Sequence, residues 1–300
     1  MTYEIRDTPS TPASPGEHPG KLVAISDLHV RYPENRRITE ELWPESEHDW
    51  LLVAGDLAEK VADIAWALRT LSSRFARVIW APGNHELWTA PSDPVQLRGE
   101  HKYRHLVELC RDLGVVTPED PYPVWTGQGG PAVVVPLFLL YDYTFRPAGT
   151  TTAGEALRVA RRAGVVCTDE FLLHPDPYPS REDWCRARLA ATEARLADLP
   201  PELPTVLVGH FPLVREPTEI LRYPEFALWC GTEATADWPV RYRAVSVVYG
   251  HLHIPRLMWV DGVPHQEVSL GYPREWKPRA RPAGRPVQIL PPPARPGQAG

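Results

Sequence analysis

The stretch VVYGHLHIP, residues 247–255, places two histidines on either side of a leucine, directly after an apolar run. In an extended segment alternate side chains point the same way, so His251 and His253 share a face and Leu252 points to the other. Their Cα atoms would lie roughly 6.6 Å apart, which is twice the rise per residue of a strand. This pattern indicates either a metal site or a Gly-His turn with two surface histidines, and the other strand ends distinguish the two.

Five short apolar segments have the composition of strands that are buried on both faces. They are KLVAIS (21–26), DWLLVAG (49–55), RVIWAPG (77–83), TVLVG (205–209) and AVSVVYG (244–250). Helical patterns at 59–75 and from Ser180 to Pro200 lie between these segments. This alternation predicts parallel pairing in a layered α/β fold.

Two further segments are predicted to form strands, and the second of them predicts antiparallel pairing. AVVVPLFLLYDY (132–143) is expected to be a strand at an edge or with a bulge, because Pro136 has no amide hydrogen to donate. Residues 256–270 contain an Asp-Gly pair between two apolar runs, which predicts a hairpin. The fold is therefore expected to be mixed.

Each of the five buried segments is followed by residue types that bind metal ions. These residues are Asp27 and His29, Asp56, Asn84 and His85, His210, and His251 and His253. The spacing from Asp27 to Asp56 is 29 positions and that from Asp56 to Asn84 is 28, each about one strand–helix–strand unit. Because ligands bind at the carboxyl ends of parallel strands, these side chains are expected to converge in one site.

The ordered motifs D-x-H, G-D, G-N-H-E, G-H and G-H-x-H resemble those of the calcineurin-like metallophosphoesterase superfamily over residues 21–271. The resemblance implies an α/β fold, a four-layer αββα sandwich of mixed sheets with two metal ions at the strand ends. It implies that one ion is held by Asp27, His29, Asp56 and His253. It implies that the other is held by Asp56, Asn84, His210 and His251, so that Asp56 bridges the two.

The same resemblance implies an enzyme that hydrolyses a phosphoester. A hydroxide that bridges the two ions would attack phosphorus, and His85 would assist the leaving oxygen, so Asp56 and His85 are the predicted catalytic residues. Two cations neutralise the charge of the ester and lower the pKa of a bound water. Nitrogen and oxygen ligands without thiolate favour Mn, Fe or Zn over Ca or Mg. A non-catalytic metal-binding scaffold is the alternative, and it is disfavoured because no motif residue is missing.

The substrate is expected to be selected by the chain between the third and fourth motifs. Leu87 to Pro204 spans 118 residues and is predicted to include an inserted lid region. Its aromatic and proline-rich sequence favours a phosphomonoesterase that acts on a small-molecule or peptide phosphate. A phosphodiesterase acting on a nucleotide or related diester is the alternative, because both use the same metals. A monoester pocket should be closed and arginine-rich, and a diester groove should be open at both ends.

Four residues are predicted to bind the substrate. Arg146 is placed to clamp a phosphate, Tyr143 or Trp88 to stack on a planar group, and Arg31 to form part of the pocket rim. For each of them taken singly, a packing or surface ion-pair role is the favoured alternative.

Composition sets the remaining expectations. The formal net charge of −6 argues against sequence-independent binding to nucleic acid or to an anionic membrane, and no apolar run is long enough to span a membrane. The four cysteines form no C-x-x-C pair, which predicts reduced thiols in a cytoplasmic protein.

The chain is expected to divide into three parts. Residues 1–19 are predicted to be a disordered N-terminal segment and residues 20–272 a metallophosphoesterase domain with an insertion at about 87–204. Residues 273–300 are predicted to be a solvated Pro/Arg-rich tail.

Overall fold

The computed structural model describes residues 20–279 and 283–295, so the predicted disorder of residues 1–19 lies outside the described residues. The strands of this part of the chain are β1 (Leu22–Ile25), β2 (Trp50–Val53), β3 (Arg77–Trp80), β4 (Val124–Trp125), β5 (Ala132–Pro136), β6 (Thr205–Val208), β7 (Ala244–Tyr249), β8 (Leu257–Val260), β9 (Val263–Glu267) and β10 (Val287–Leu290). The α-helices are α1 (Pro33–Glu40), α2 (Val61–Ser72), α3 (Asn84–Leu87), α4 (Gly99–Asp112), α5 (Ala153–Arg162), α6 (Asp169–Leu172), α7 (Arg181–Ala197), α8 (Trp238–Arg241) and α9 (Pro273–Trp276). Short 3₁₀ helices cover Glu216–Ile220, Pro224–Trp229 and Glu233–Thr235.

The strands form two mixed sheets, as the sequence predicts. The first has the order β10-β1-β2-β3, in which β1, β2 and β3 are parallel and β10 is antiparallel to β1. The second has the order β4-β5-β6-β7-β9-β8, in which β5, β6, β7 and β9 are parallel. The predicted hairpin is present as β8 and β9, with the Asp-Gly pair at its turn.

The two sheets pack face to face, with helices on their outer sides. Leu52 of β2 shares a buried cluster with Val134 of β5 and Val206 of β6, and this cluster fills the space between the sheets. Leu51, whose side chain points to the opposite face of β2, packs instead with Ile64 of α2. Alternation along the strands therefore builds the four-layer αββα sandwich.

The stretch 87–204 is not one inserted lid, because much of it belongs to the sandwich. Strand β5 pairs with β6 inside the second sheet, and the buried faces of α4 and α7 join the main core cluster. The predicted strand at 132–143 ends at Pro136, well before residue 143. Strand β4 pairs only with Ala132 and Val133, so the proline removes no hydrogen bond to β4.

The C-terminal segment differs from the predicted solvated tail. Strand β10 lies antiparallel to β1, with Leu290 opposite Leu22, and both Ile289 and Leu290 are buried between the sheets. The stretch VQIL, three of whose four residues are apolar, is long enough to complete the first sheet although prolines surround it. The folded domain therefore extends beyond residue 272.

The cysteines and the helices of the described ranges bear on two expectations from composition, namely reduced thiols and the lack of an apolar run that could span a membrane. All four cysteines are free and buried. None of the described helices has the length and apolar character needed to cross a bilayer.

Candidate metal centre

The first group of predicted ligands lies where β1 and β7 end. Asp27 Oδ1 is 3.0 Å from His253 Nε2 and 3.9 Å from His29 Nε2, and the two imidazole Nε2 atoms are 3.2 Å apart. Donor atoms around a cation with bonds of about 2.1 Å lie roughly 3–3.5 Å from one another. The chemistry and spacing of these three side chains fit one metal ion.

The second group lies where β2, β3 and β6 end. His210 Nε2 is 3.4 Å from Asp56 Oδ2 and 3.0 Å from Asn84 Oδ1. A ring nitrogen of His251 is within 4.8 Å of the donor atoms of Asp56 and His210. Among the described residues, His251 Nε2 is buried and has no hydrogen-bond partner. An unpaired buried nitrogen beside a carboxylate fits a second cation at this position.

Five of these residues have left-handed backbone conformations. The φ angles are 52° at Asp27, 41° at His29, 57° at Asp56, 68° at His251 and 55° at His253. Such conformations cost about 1–3 kcal/mol each and persist where the surrounding structure holds them. His251 and His253 therefore lie beyond the end of β7, and strand alternation is not what brings their side chains to the site.

Main-chain hydrogen bonds hold these turns in place. Asp27 N donates to Gly55 O at 2.9 Å, and His29 N donates to Asp56 O at 3.1 Å, so the segments that follow β1 and β2 are tied together. His251 N donates to both carboxylate oxygens of Asp27, at 3.2 and 3.1 Å. The backbone thus fixes where each ligand side chain starts.

Both site aspartates are held in the ionised form. Burial opposes ionisation of Asp27, but the charge of His253 and its hydrogen bond lower the pKa of this carboxyl to about 2. Burial likewise opposes ionisation of Asp56, and the charges of His210, His85 and His29 still hold its pKa well below the usual value. Two buried carboxylates that stay negative at neutral pH supply charge for binding cations.

His85 contacts a carboxylate that the motifs do not include. Its Nδ1 is 3.2 Å from Glu59 Oε1, while its Nε2 is 3.7 Å from Asp56 Oδ2. Burial lowers the pKa of His85, but Asp56 and Glu59 together raise it above the ordinary value. Donor atoms of His29, Glu59 and His85 also lie within 4.8 Å of one another, so the role of His85 as an acid rather than a ligand stays a prediction.

Asp169 orients two residues of the site. Its Oδ1 accepts hydrogen bonds from Asn84 Nδ2 at 2.8 Å and from Trp88 Nε1 at 2.7 Å. The amide nitrogen of Asn84 is thereby occupied, so its carbonyl oxygen is directed towards His210. The indole of Trp88 is held against the His85 ring, with 3.7 Å between ring centroids. The sequence shows Asp169 only as one acid among many in loops.

Glu275, in the C-terminal segment, orients His253. Its Oε2 is 2.7 Å from His253 Nδ1 and accepts a second hydrogen bond from Tyr272 N at 2.9 Å. A carboxylate on Nδ1 leaves Nε2 free to face a metal ion. The ring of Tyr272 stacks on His29 at 4.5 Å, so α9 and the residue before it cover the first ligand group.

Glu86 holds two main-chain loops of the site together through hydrogen bonds. Its carboxylate accepts hydrogen bonds from the main-chain nitrogens of Asp56, Leu57 and Gly83. These bonds connect the loops that follow β2 and β3.

The four predicted substrate-binding residues fall into two pairs. Trp88 lines a cavity of about 480 Å³ that opens over Asp56, Asn84 and His85. Arg31 lines a neighbouring cavity of about 600 Å³, of which Trp88 is also a wall.

The structure does not bring the other two to the site. Tyr143 is 2% exposed, belongs to a separate aromatic cluster and donates its hydroxyl hydrogen bond to Glu170. Arg146 is outside the residues that line the cavity, and its main-chain oxygen accepts from Arg215. Helix α5 packs over Tyr143, and this contact cannot be read from the local sequence.

The family model for calcineurin-like phosphoesterases matches residues 20–255. The chain therefore belongs to the calcineurin-like phosphoesterase family, and it is a metal-dependent hydrolase of phosphoric esters. It is 57% identical over 272 residues to the [acyl-carrier-protein] phosphodiesterase PptH of Mycobacterium tuberculosis, which covers 91% of this chain and 84% of that protein.

Comparison with solved structures finds a similarity to the same protein. The crystal structure of phosphopantetheinyl hydrolase (PptH) from Mycobacterium tuberculosis has a TM-score of 0.90 and 56% sequence identity, and covers 93% of this chain and 99% of that one. The fold class predicted from the sequence is confirmed. These similarities favour the diesterase alternative over the predicted phosphomonoesterase.

Proposed function

We propose that this protein hydrolyses the phosphodiester that joins a phosphopantetheinyl group to an acyl carrier protein. The observation that carries the proposal is the 57% identity, over 91% of the chain, to a phosphodiesterase named for that substrate. The substrate is then a phosphorylated protein, and the ester that is cut lies at its surface.

The shape of the site supports a diester. A diester carries two substituents on phosphorus, and the cavity over the ligands is next to a second cavity that shares Trp88 as a wall, so there is space for a group beyond the phosphate. Within the described residues, the arginines that line the cavity over the ligands are Arg222 and Arg274, and both lie exposed at its rim. A closed, arginine-rich monoester pocket is therefore not what surrounds these ligands.

The predicted ligands would hold two ions of Mn, Fe or Zn, as their nitrogen and oxygen donors suit these metals. When bound, the ions neutralise the phosphate and lower the pKa of a water. Glu59 keeps a proton on Nδ1 of His85, so that a second proton on Nε2 faces the reacting centre. Water adds to phosphorus and releases one proton, the bond from phosphorus to the serine oxygen of the carrier protein breaks, and His85 gives its proton to that oxygen. The proton released by the water then restores the protonated form of His85. A cytoplasmic location, expected from the unpaired cysteines, is part of the same proposal.

The test is a comparison of substrates. The Mn-loaded protein is incubated with a purified holo acyl carrier protein, with bis-p-nitrophenyl phosphate and with p-nitrophenyl phosphate, and the carrier protein is followed by intact mass. We expect the holo form to lose the mass of its phosphopantetheinyl group, and the bis-ester to react faster than the monoester. Asp56→Asn serves as the inactive control. A protein that cleaves only monoesters would contradict the proposal.

A further inference from the structure

Two exposed apolar side chains lie beside the mouth of the site cavity. Val166 is 55% exposed and Phe171 is 67% exposed. Both line a shallow groove of about 270 Å³ that continues to Trp229. Val166 also lines the cavity over the ligand residues, so the groove and the site share a wall.

Cationic side chains lie beside this groove. Arg161 and Arg162 occupy the last turn of α5, are exposed, and form no ion pair within the described residues. Other exposed arginines do have acidic partners, as Arg186 has in Asp183 and Arg241 in Glu193. We call Arg161, Arg162, Val166 and Phe171 the basic lip.

Two other exposed residues that line the site cavity have a similar character. Arg222 is exposed and stacks on the half-exposed ring of Tyr223, and both residues line the site cavity. The chain as a whole carries a formal net charge of −6, so an apolar and cationic mouth runs against its overall charge. Local charge opposite in sign to the net charge steers a partner of complementary charge to that point.

The proposed reaction requires a protein surface to reach this mouth. In a serine phosphodiester, phosphorus is only three bonds from the Cα atom, so the carrier protein cannot present the ester without touching the rim. The ligand residues are buried or, at His253, only partly exposed, and the exposed residues that line the cavity over them include Val166 and Tyr223.

We infer that the basic lip docks an acidic face of the carrier protein and thereby sets the specificity for a protein-borne diester. This inference rests on the proposed function. The apolar side chains contact the surface beside the modified serine, while Arg161 and Arg162 pair with its carboxylates. A second copy of this chain seated on the lip is the competing occupant.

The experiment compares Arg161→Glu/Arg162→Glu with Arg69→Glu. Arg69 is also an exposed arginine in the last turn of a helix, α2, but it lines neither cavity, so this variant controls for a single charge reversal at a helix C-terminus away from the site. We expect the double variant to lose about tenfold or more in kcat/KM for the holo carrier protein, with a weaker dependence on salt. Its turnover of bis-p-nitrophenyl phosphate should stay within twofold of the parent, and Arg69→Glu should match the parent on both substrates.

Phe171→Ser provides a second variant that tests the apolar part without changing charge. Unchanged kcat/KM for the carrier protein in both lip variants would overturn the inference, and so would an equal loss on the small bis-ester. A dimer in gel filtration that the double variant dissociates, with turnover unaffected, would assign the lip to a second copy.

The parent protein separates this inference from the proposed function. If the parent does not release the phosphopantetheinyl group, the function fails, and binding of the same holo carrier protein by titration calorimetry still tests the lip. Binding that the double variant weakens supports docking, and the absence of binding to the parent overturns it.

Discussion

Removal of the Glu275 side chain is expected to weaken metal binding at the first ligand group without unfolding the protein. One oxygen, Oε2, accepts from both His253 Nδ1 at 2.7 Å and Tyr272 N at 2.9 Å. In Glu275→Ala neither donor keeps this acceptor, and the His253 ring loses the contact that sets its tautomer and its direction. In Glu275→Gln the amide oxygen can take the place of Oε2 and keep both hydrogen bonds.

The size of the effect follows from this geometry. Loss of a hydrogen-bond partner behind a metal ligand typically costs 10–100-fold in metal affinity or activity. The side chain of Glu275 is 29% exposed, so water can partly replace the missing acceptor. We therefore expect about tenfold to thirtyfold weaker binding of one of the two Mn ions, the one at the first ligand group, in Glu275→Ala. Glu275→Gln should stay within about threefold of the parent, because a neutral acceptor gives a weaker bond than a charged one.

The assay is titration of chelator-treated protein with Mn, with bound and free metal separated and quantified, at constant pH and ionic strength. Lys277→Ala is the matched control, since it removes the ion pair to Glu34 at the end of the same helix and leaves His253 untouched. Circular dichroism checks that each variant is folded. Parent-like Mn affinity in Glu275→Ala would refute the reasoning, as would an equal loss in Glu275→Gln.

Three further predictions concern the site and the fold. Asp56→Asn should lose turnover together with one bound metal ion, because the amide keeps one oxygen acceptor but not the charge, and metal analysis beside activity checks this. His85→Ala should keep its metal content while kcat falls roughly 10²–10⁴-fold, with the larger loss for esters whose leaving group is poor; equal losses on good and poor leaving groups would exclude the acid role. Leu290→Ala should lower the free energy of unfolding by about 2–5 kcal/mol, since Leu290 is fully buried between the sheets; denaturant unfolding showing no change would contradict the role of β10.

The ligand positions could be predicted from the sequence because the signal is local. An apolar run predicts a buried strand. The residue after it then lies at the carboxyl end of that strand, independently of the sequence elsewhere in the chain. Asp27, Asp56, Asn84 and His210 were placed in this way, and the structure brings them into two neighbouring groups. The expectation of extended chain at His251 and His253 was wrong, because both residues have left-handed backbone conformations.

The orienting carboxylates could not be found in the same way. Glu59, Asp169 and Glu275 are single acids whose partners lie 26, 85 and 22 positions away, so no local pattern marks them. The local sequence gives one weak indication of an orienting carboxylate, because Glu59 follows Asp56 by three residues in the same loop. Tyr143 illustrates the opposite error, because an aromatic residue of the stretch between the third and fourth motifs was assigned to the substrate and instead packs against α5.

Strand β10 was not predicted because the proline and arginine content of the C-terminal segment was given more weight than the short strand-like sequence within it. Eight positions before and after Val287–Leu290 are dominated by proline and arginine, which predicts a solvated chain. Four apolar or β-forming residues suffice for a strand when an open sheet edge is available, and β1 offers that edge.

The pairing of β10 with β1 has a consequence for synthesis of the chain. The ribosome adds Leu22 to the chain 265 residues before Val287. At a translation rate of roughly 5–20 residues per second, the outer edge of β1 therefore stays unpaired for about 13–53 s before β10 has been synthesised. During that interval an unpaired, strongly apolar edge can recruit strands from neighbouring nascent chains. The yield of folded protein should therefore depend on translation speed and on chaperones that shield the edge. Fusing a bulky partner directly after Leu290 should lower that yield more than the same fusion placed before β1.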